Sequence, residues 1–192
     1  MALDLEEQEQ IDELKAWWKQ NGKYVFAGLA VFVFGVGGWR FWDAWSLRQA
    51  SEASVMFEQA IQAFGANDAK AVKEITGRIM EEHGRSGYAA PAAWLAGKAN
   101  HGVGDVKSAR AQYEYALEHA KDDGLVQLAR LRLASLLLDE KDYTGAMKLL
   151  DQTHDPAFAG LFANLKGDVL AAQGKKQEAL AAYKQAIERL GD

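Results

Sequence analysis

Residues 97–117 read GKANHGVGDVKSARAQYEYAL, and residues 167–187 read GDVLAAQGKKQEALAAYKQAI. Each stretch opens on a glycine and breaks in the middle, at Gly104-Asp105 or Gly174-Lys175. Each then closes on Ala-x3-aromatic-x2-Ala-aliphatic: Ala109/Tyr113/Ala116/Leu117 and Ala179/Tyr183/Ala186/Ile187. Steps of four, three and one keep these side chains on one face of a helix. Alanine lets a neighbouring helix come close, and the ring fills the space beside it. The same four positions recur at Ala53/Phe57/Ala60/Ile61. The spacing of twelve from Gly97 to Ala109 returns as Gly167 to Ala179 and as Ala134 to Ala146. In that last copy the turn is Asp139-Glu140-Lys141-Asp142, with Leu150 in place of the ring and Thr153 in place of the second alanine.

A helix–turn–helix unit of this period resembles the tetratricopeptide repeat, whose length is about 34 residues. Reference positions 97, 134 and 167 lie 37 and 33 apart. The pattern predicts an all-α chain with a helical-hairpin solenoid and units at about 90–123, 127–156 and 160–191. Residues 44–65 read as a lone second-type helix, and 68–83 as a further helix stopping near His83-Gly84, where glycine ends helices well.

Stacked hairpins line a concave surface with their first helices. Counting along those helices puts a partner groove at Trp94, Lys98 and His101, then Leu131, Ser135 and Leu138, then Leu161, Asn164 and Asp168. Ordinary packing between repeats competes for the same positions. The set lacks paired Lys and Asn for clamping a C-terminal carboxylate, and its mixed apolar character suits a helix or an extended apolar segment.

Ahead of the repeats, Tyr24–Trp39 (YVFAGLAVFVFGVGGW) contains no charge. Continued to Trp42, it would form a helix of about 28 Å, close to the hydrocarbon thickness of a bilayer. It is apolar on every side, and Gly28, Gly35, Gly37 and Gly38 interrupt it, which membrane helices tolerate better than soluble ones. Trp17, Trp18 and Tyr24 precede it, and Trp39, Trp42 and Trp45 follow, as interfacial anchors do. A cleaved signal peptide is disfavoured by six acids in the first 23 residues and by bulky Arg40-Phe41-Trp42-Asp43 after the run. Lys15, Lys19 and Lys23 before the span outnumber Arg40 and Arg48 after it, so the N-terminus is expected inside. The division is then a tail at 1–23, an anchor at 24–42 and a soluble domain at 43–192. Gly28 and Gly35 share a helical face and are candidates for contact with another membrane helix. In the tail, Leu3 and Leu5 precede a helical stripe of Ile11, Leu14 and Trp18. Membrane surface and protein partner both remain open as its target.

Composition removes several functional classes. There is no cysteine, hence no disulfide, thiol nucleophile or thiolate metal site. A net charge of −5 provides no basic patch for phosphates, so nucleic acid is not an expected partner. His83, His101, His119 and His154 are isolated from one another, and no His-Glu-x-x-His motif occurs. His83 and His101 sit beside glycines at helix ends, where an imidazolium complements the dipole. Neither Gly35-Val36-Gly37-Gly38 nor Gly102-Val103-Gly104 has the Lys-Ser/Thr of a phosphate loop, and no Gly-x-Ser-x-Gly elbow is present. No catalytic residue, cofactor, metal or small-molecule substrate is expected.

Leu14-Lys15-Ala16-Trp17-Trp18-Lys19-Gln20-Asn21-Gly22, joined directly to the span and followed by three repeat units, resembles the YfgM-type ancillary subunits of the bacterial SecYEG translocon. The resemblance covers essentially the whole chain. It implies a single-pass inner-membrane protein with a cytoplasmic N-terminus and a periplasmic domain. It also implies association with SecYEG and with a membrane-anchored periplasmic chaperone of the PpiD type, and delivery of emerging polypeptides to such chaperones. A further implied role has the cytoplasmic tail restraining an envelope-stress regulator. The repeats by themselves fit a scaffold of another cell-envelope complex equally well.

Overall fold

The computed structural model describes residues 5–190, with side chains from residue 9 onward. Leu3 and the side chain of Leu5 in the tail therefore lie outside the described residues. The described residues form α1 (Leu5–Gly65), α2 (Ala69–Glu82), α3 (Ala89–Gly102), α4 (Val106–His119), α5 (Asp123–Asp139), α6 (Tyr143–Leu150), a 3-10 turn (Pro156–Phe158), α7 (Ala159–Ala172) and α8 (Lys176–Leu190). No strand occurs among them, as expected for an all-α chain. They fall into two compact units divided between Arg48 and Gln49.

The first unit carries the apolar run on α1. Within α1 lies a stretch long and apolar enough to cross a membrane, and none of its most apolar window is buried. Phe34 is 79% exposed and Val31 74%. No side chain approaches the position of a Cβ added at Gly28 or Gly35. At the tail end, Trp18 stacks edge-on with Phe26 at 5.7 Å, and Asn21 Nδ2 donates to the Trp17 carbonyl.

The second unit contains four hairpins rather than three. Residues 49–65 of α1, within the 44–65 stretch expected as a lone second-type helix, are the first helix of a hairpin completed by α2. Ala60 and Val72 share a buried cluster with Leu95 and Ala99 of α3. Ala53 and Ile79 likewise meet Ala92. Ala60 and Val72 are twelve apart, the same interval as Gly97 to Ala109.

All four hairpins turn in the same way. Seven residues after each reference position (60, 97, 134, 167) the backbone is left-handed, at Asn67 (φ 56°), Gly104 (81°), Lys141 (63°) and Gly174 (78°). The next amide donates back into the first helix: Asp68 to Ala63, Asp105 to Asn100, Asp142 to Leu137 and Lys175 to Leu170. This six-to-one bond closes a helix C-terminus and requires the left-handed residue. In three hairpins the donor residue then caps the second helix. Asp68, Asp105 and Asp142 accept from the amides of Ala71, Ser108 and Gly145 through their side chains. Bonding to Ser108 holds the Asp105 carboxyl below its ordinary range. Lys141 is the costly member, since a β-carbon in this conformation loses about 1–2 kcal/mol. Lys141→Gly is therefore expected to raise the melting temperature by ~2–4 °C, measured by circular dichroism.

In the second and fourth hairpins the reference glycine faces the tyrosine sixteen residues further on. A Cβ at Gly97 would lie 2.5 Å from the Tyr113 ring, and one at Gly167 would clash likewise with Tyr183. The third hairpin has Ala134 with the smaller Leu150, so added volume on one helix is matched by lost volume on the other. Tyr113 is 1% exposed, and burial pushes its phenol up to about 12. The unfolded phenol ionises near 10, so the native state resists a deprotonation that the unfolded chain accepts. The stability tied to Tyr113 is complete below pH 10 and is lost as pH rises to about 12, by ~2–3 kcal/mol. Urea melts of the parent should show this loss, and Tyr113→Phe should lack that component.

Candidate partner-binding surface

The first helices place the nine expected groove residues at equivalent heights, with one shift. Trp94, Lys98 and His101 stand three before, one after and four after Gly97, and Leu131, Ser135 and Leu138 stand likewise around Ala134. The matching positions around Gly167 are Asn164, Asp168 and Ala171, so Leu161 sits one turn earlier on α7. The first hairpin adds Phe57, Ile61 and Phe64 to the row, residues that the lone-helix reading left out.

Contacts divide the nine positions into two kinds. Trp94, Leu131 and Leu138 are half-buried against the main core cluster of α4–α7. Lys98 places its ammonium 4.9 Å from the Phe64 ring centre and 4.8 Å from that of Trp94, bridging two hairpins. His101 Nε2 lies 3.4 Å from Asp139 Oδ2, the imidazole sitting in the last turn of α3. Asp168 Oδ1 accepts a 2.9 Å hydrogen bond from the Tyr183 hydroxyl. Burial of the Tyr183 phenol, with the bond to Asp168 second, raises its pKa. These six residues therefore make contacts within or between hairpins while remaining partly exposed. Ser135, Leu161 and Asn164 make no such contacts among the described residues, and Leu161 is 44% exposed.

The remaining histidines are structural as well. His83 caps α2 and is buried, its Nδ1–H donating to Gln49 Oε1 at 2.5 Å. His119 donates to the Tyr115 carbonyl and stacks on that ring. His154 stacks on Phe162 at 4.4 Å. No group of three or more His, Asp or Glu side chains suited to a metal is found among the described residues.

Sequence reasoning missed one buried cation. Arg130 is 9% exposed, with Nη1 donating to the Thr153 carbonyl at 2.9 Å and to Gln127 Oε1 at 3.4 Å. It ties down the non-helical segment that follows the short helix α6. The available signal was an arginine on the apolar face of α5, four residues before Ala134.

A surface of this kind can hold a polypeptide. Known proteins agree with the architecture. The family model for a tetratricopeptide repeat-like domain matches residues 15–192. The chain is 32% identical over 193 residues to a Neisseria gonorrhoeae protein named ancillary SecYEG translocon subunit, covering 99% of this chain and 91% of that one. Proteins of the same name from Haemophilus influenzae and Escherichia coli are 29% and 25% identical. Each aligns over 97% of this chain, covering 91% and 90% of the relative. With its exposed apolar helix and uniformly turned hairpins, this chain belongs to the ancillary SecYEG translocon subunit family.

Proposed function

We propose that the protein is a non-catalytic, membrane-tethered adaptor at the Sec translocon. Its hairpin domain would receive translocated polypeptides and pass them to a membrane-anchored periplasmic chaperone of the PpiD type. The observation that carries this reading is similarity along nearly the full length, spanning tail, apolar helix and repeats together, to relatives named for that translocon. The exposed apolar stretch of α1 is the membrane anchor, in the bacterial inner membrane. The three lysines before it, against two arginines after it, support a tail in the cytoplasm and residues 43–192 in the periplasm. Client contact is assigned to the first-helix face around Ser135, Leu161 and Asn164, and Gly28 and Gly35 are assigned to contact with a partner membrane helix. The cytoplasmic tail, with its Ile11/Leu14/Trp18 stripe, is available for an envelope-stress regulator; Trp18 remains 47% exposed beside the bilayer segment.

Protease added to spheroplasts tests the topology. The hairpin domain should disappear and leave a small protected N-terminal fragment. Full protection, or a mature chain starting beyond residue 40, would overturn the orientation. Crosslinking in intact membranes, followed by affinity capture of the translocon, tests the partner. Absence of SecYEG from the crosslinked species, with the protein properly inserted, would favour a scaffold role in another envelope complex.

A further inference from the structure

Counting from the reference positions brings equivalent residues to each junction between successive hairpins, and at the last junction a cleft stands open. The equivalent residues are the one twenty after the reference in one hairpin, and those four before and eighteen after it in the next. Between the first two hairpins these are Met80, Ala93 and Tyr115, and the Tyr115 ring packs into the cluster with Met80 and Ala93. At the next junction they are Leu117, Arg130 and Gln152, and Arg130 is buried there with Nη1 bonded to the Thr153 carbonyl. At the last junction they are His154, Ala163 and Gln185. Neither the ring nor the arginine is present there. A cleft of about 340 Å³ remains, lined by His154, Ala163, Gln185 and Lys166 over buried Phe162, with Arg189 at its rim. Helix α6 contributes to the opening. It stops at Leu150, whereas α4 continues from the equivalent Tyr113 to His119.

We infer that this cleft is a docking site for an aromatic side chain of an extended polypeptide, separate from the first-helix face. The protein's own first junction identifies the occupant. There a tyrosine ring lies beside an alanine and stacks on His119 at 4.0 Å. Here an imidazole is already stacked on Phe162 and offers its edge and outer face to an incoming ring. Aromatic rings bury large area for little lost freedom and prefer such offset stacks. Arg189 has no ion-pair partner among the described residues and can lie over the ring. Lys166 is held by Asp151 at 2.8 Å and keeps that wall in place.

The test uses full-length protein in lipid nanodiscs and the photoreactive peptide acetyl-Gly-Ser-benzoylphenylalanine-Ser-Gly-amide. Crosslinks should map to the segments around His154, Ala163 and Gln185, and an unlabelled tyrosine peptide should compete better than its leucine analogue. Gln185→Tyr and Ala163→Arg copy Tyr115 and Arg130 of the two earlier junctions. Each should raise the melting temperature and lower crosslinking by roughly tenfold or more, as expected when a preformed pocket is occupied from within. Leu161→Glu, on the other face, should leave crosslinking here unchanged, so failure of the groove assignment and failure of this one are distinguishable. Crosslinks scattered over the domain, equal competition by leucine, or undiminished labelling of a folded filler variant would each overturn the inference. Should both filler variants unfold, the junctions are not equivalent and the inference falls on that ground.

Discussion

Gly97→Leu should abolish the native α3–α4 hairpin. Tyr113 has no room to move, since it is 1% exposed and its ring already lies where the new Cβ would sit. Expelling the ring costs about 3–5 kcal/mol, comparable to deleting a buried aromatic residue. In a repeat array such a loss is felt at the damaged unit and its neighbours. Amide exchange should therefore rise across residues 89–119 before it rises in α8. The third hairpin supplies the control. Gly97→Ala combined with Tyr113→Leu reproduces its Ala134–Leu150 pair and should be more stable than the sum of the two single changes by roughly 1–2 kcal/mol. Strict additivity in denaturant melts would show that the glycine and the ring are not coupled.

Leu161→Glu should remove client crosslinking at the first-helix face while leaving the fold intact. A glutamate there must lose its water when an apolar segment docks, at a cost of several kcal/mol or with neutralisation of the charge. Leu161 is already 44% exposed, so the free protein tolerates the charge. Leu131→Glu is expected to behave differently. Leu131 packs against the buried cluster containing Leu133 and Phe162, and a charge there destabilises the domain itself. Reduced melting temperature for Leu131→Glu, with a normal melt but lost crosslinking for Leu161→Glu, is the expected pair of results. Normal crosslinking by folded Leu161→Glu would move client contact away from this face and make Gly28 and Gly35 the next positions to change.

The sequence by itself determined the parts of this protein that depend on spacing along one helix. The twelve-residue interval from Gly97 to Ala109 and from Gly167 to Ala179, each with a break at Gly104-Asp105 or Gly174-Lys175, announced hairpins because two helical stretches joined by so short a turn fold back on each other. The uncharged run from Tyr24 to Trp39 announced an exposed apolar helix because no polar face exists to turn outward. The isolated histidines excluded a metal motif by their separation alone. Tertiary structure decided matters that depend on which helix lies alongside which. Ala53-x3-Phe57-x2-Ala60 suits either helix of a hairpin, since both need small residues beside bulky ones. Contact with Val72, Ile79 and Leu95 made it a first helix and created a fourth unit. Thr76, where two other units have tyrosine, hid that unit from a search for rings; its hydroxyl is instead satisfied by the Val72 carbonyl at 2.7 Å. The groove residues had the same ambiguity. Half-exposure on a helix face is compatible with binding or with packing, and only the tertiary structure brings Phe64, Asp139 and Tyr183 within reach of Lys98, His101 and Asp168. The cleft at His154 was beyond sequence reading for the same reason: an unfilled space is a property of three helices at once, and no one of them encodes it alone.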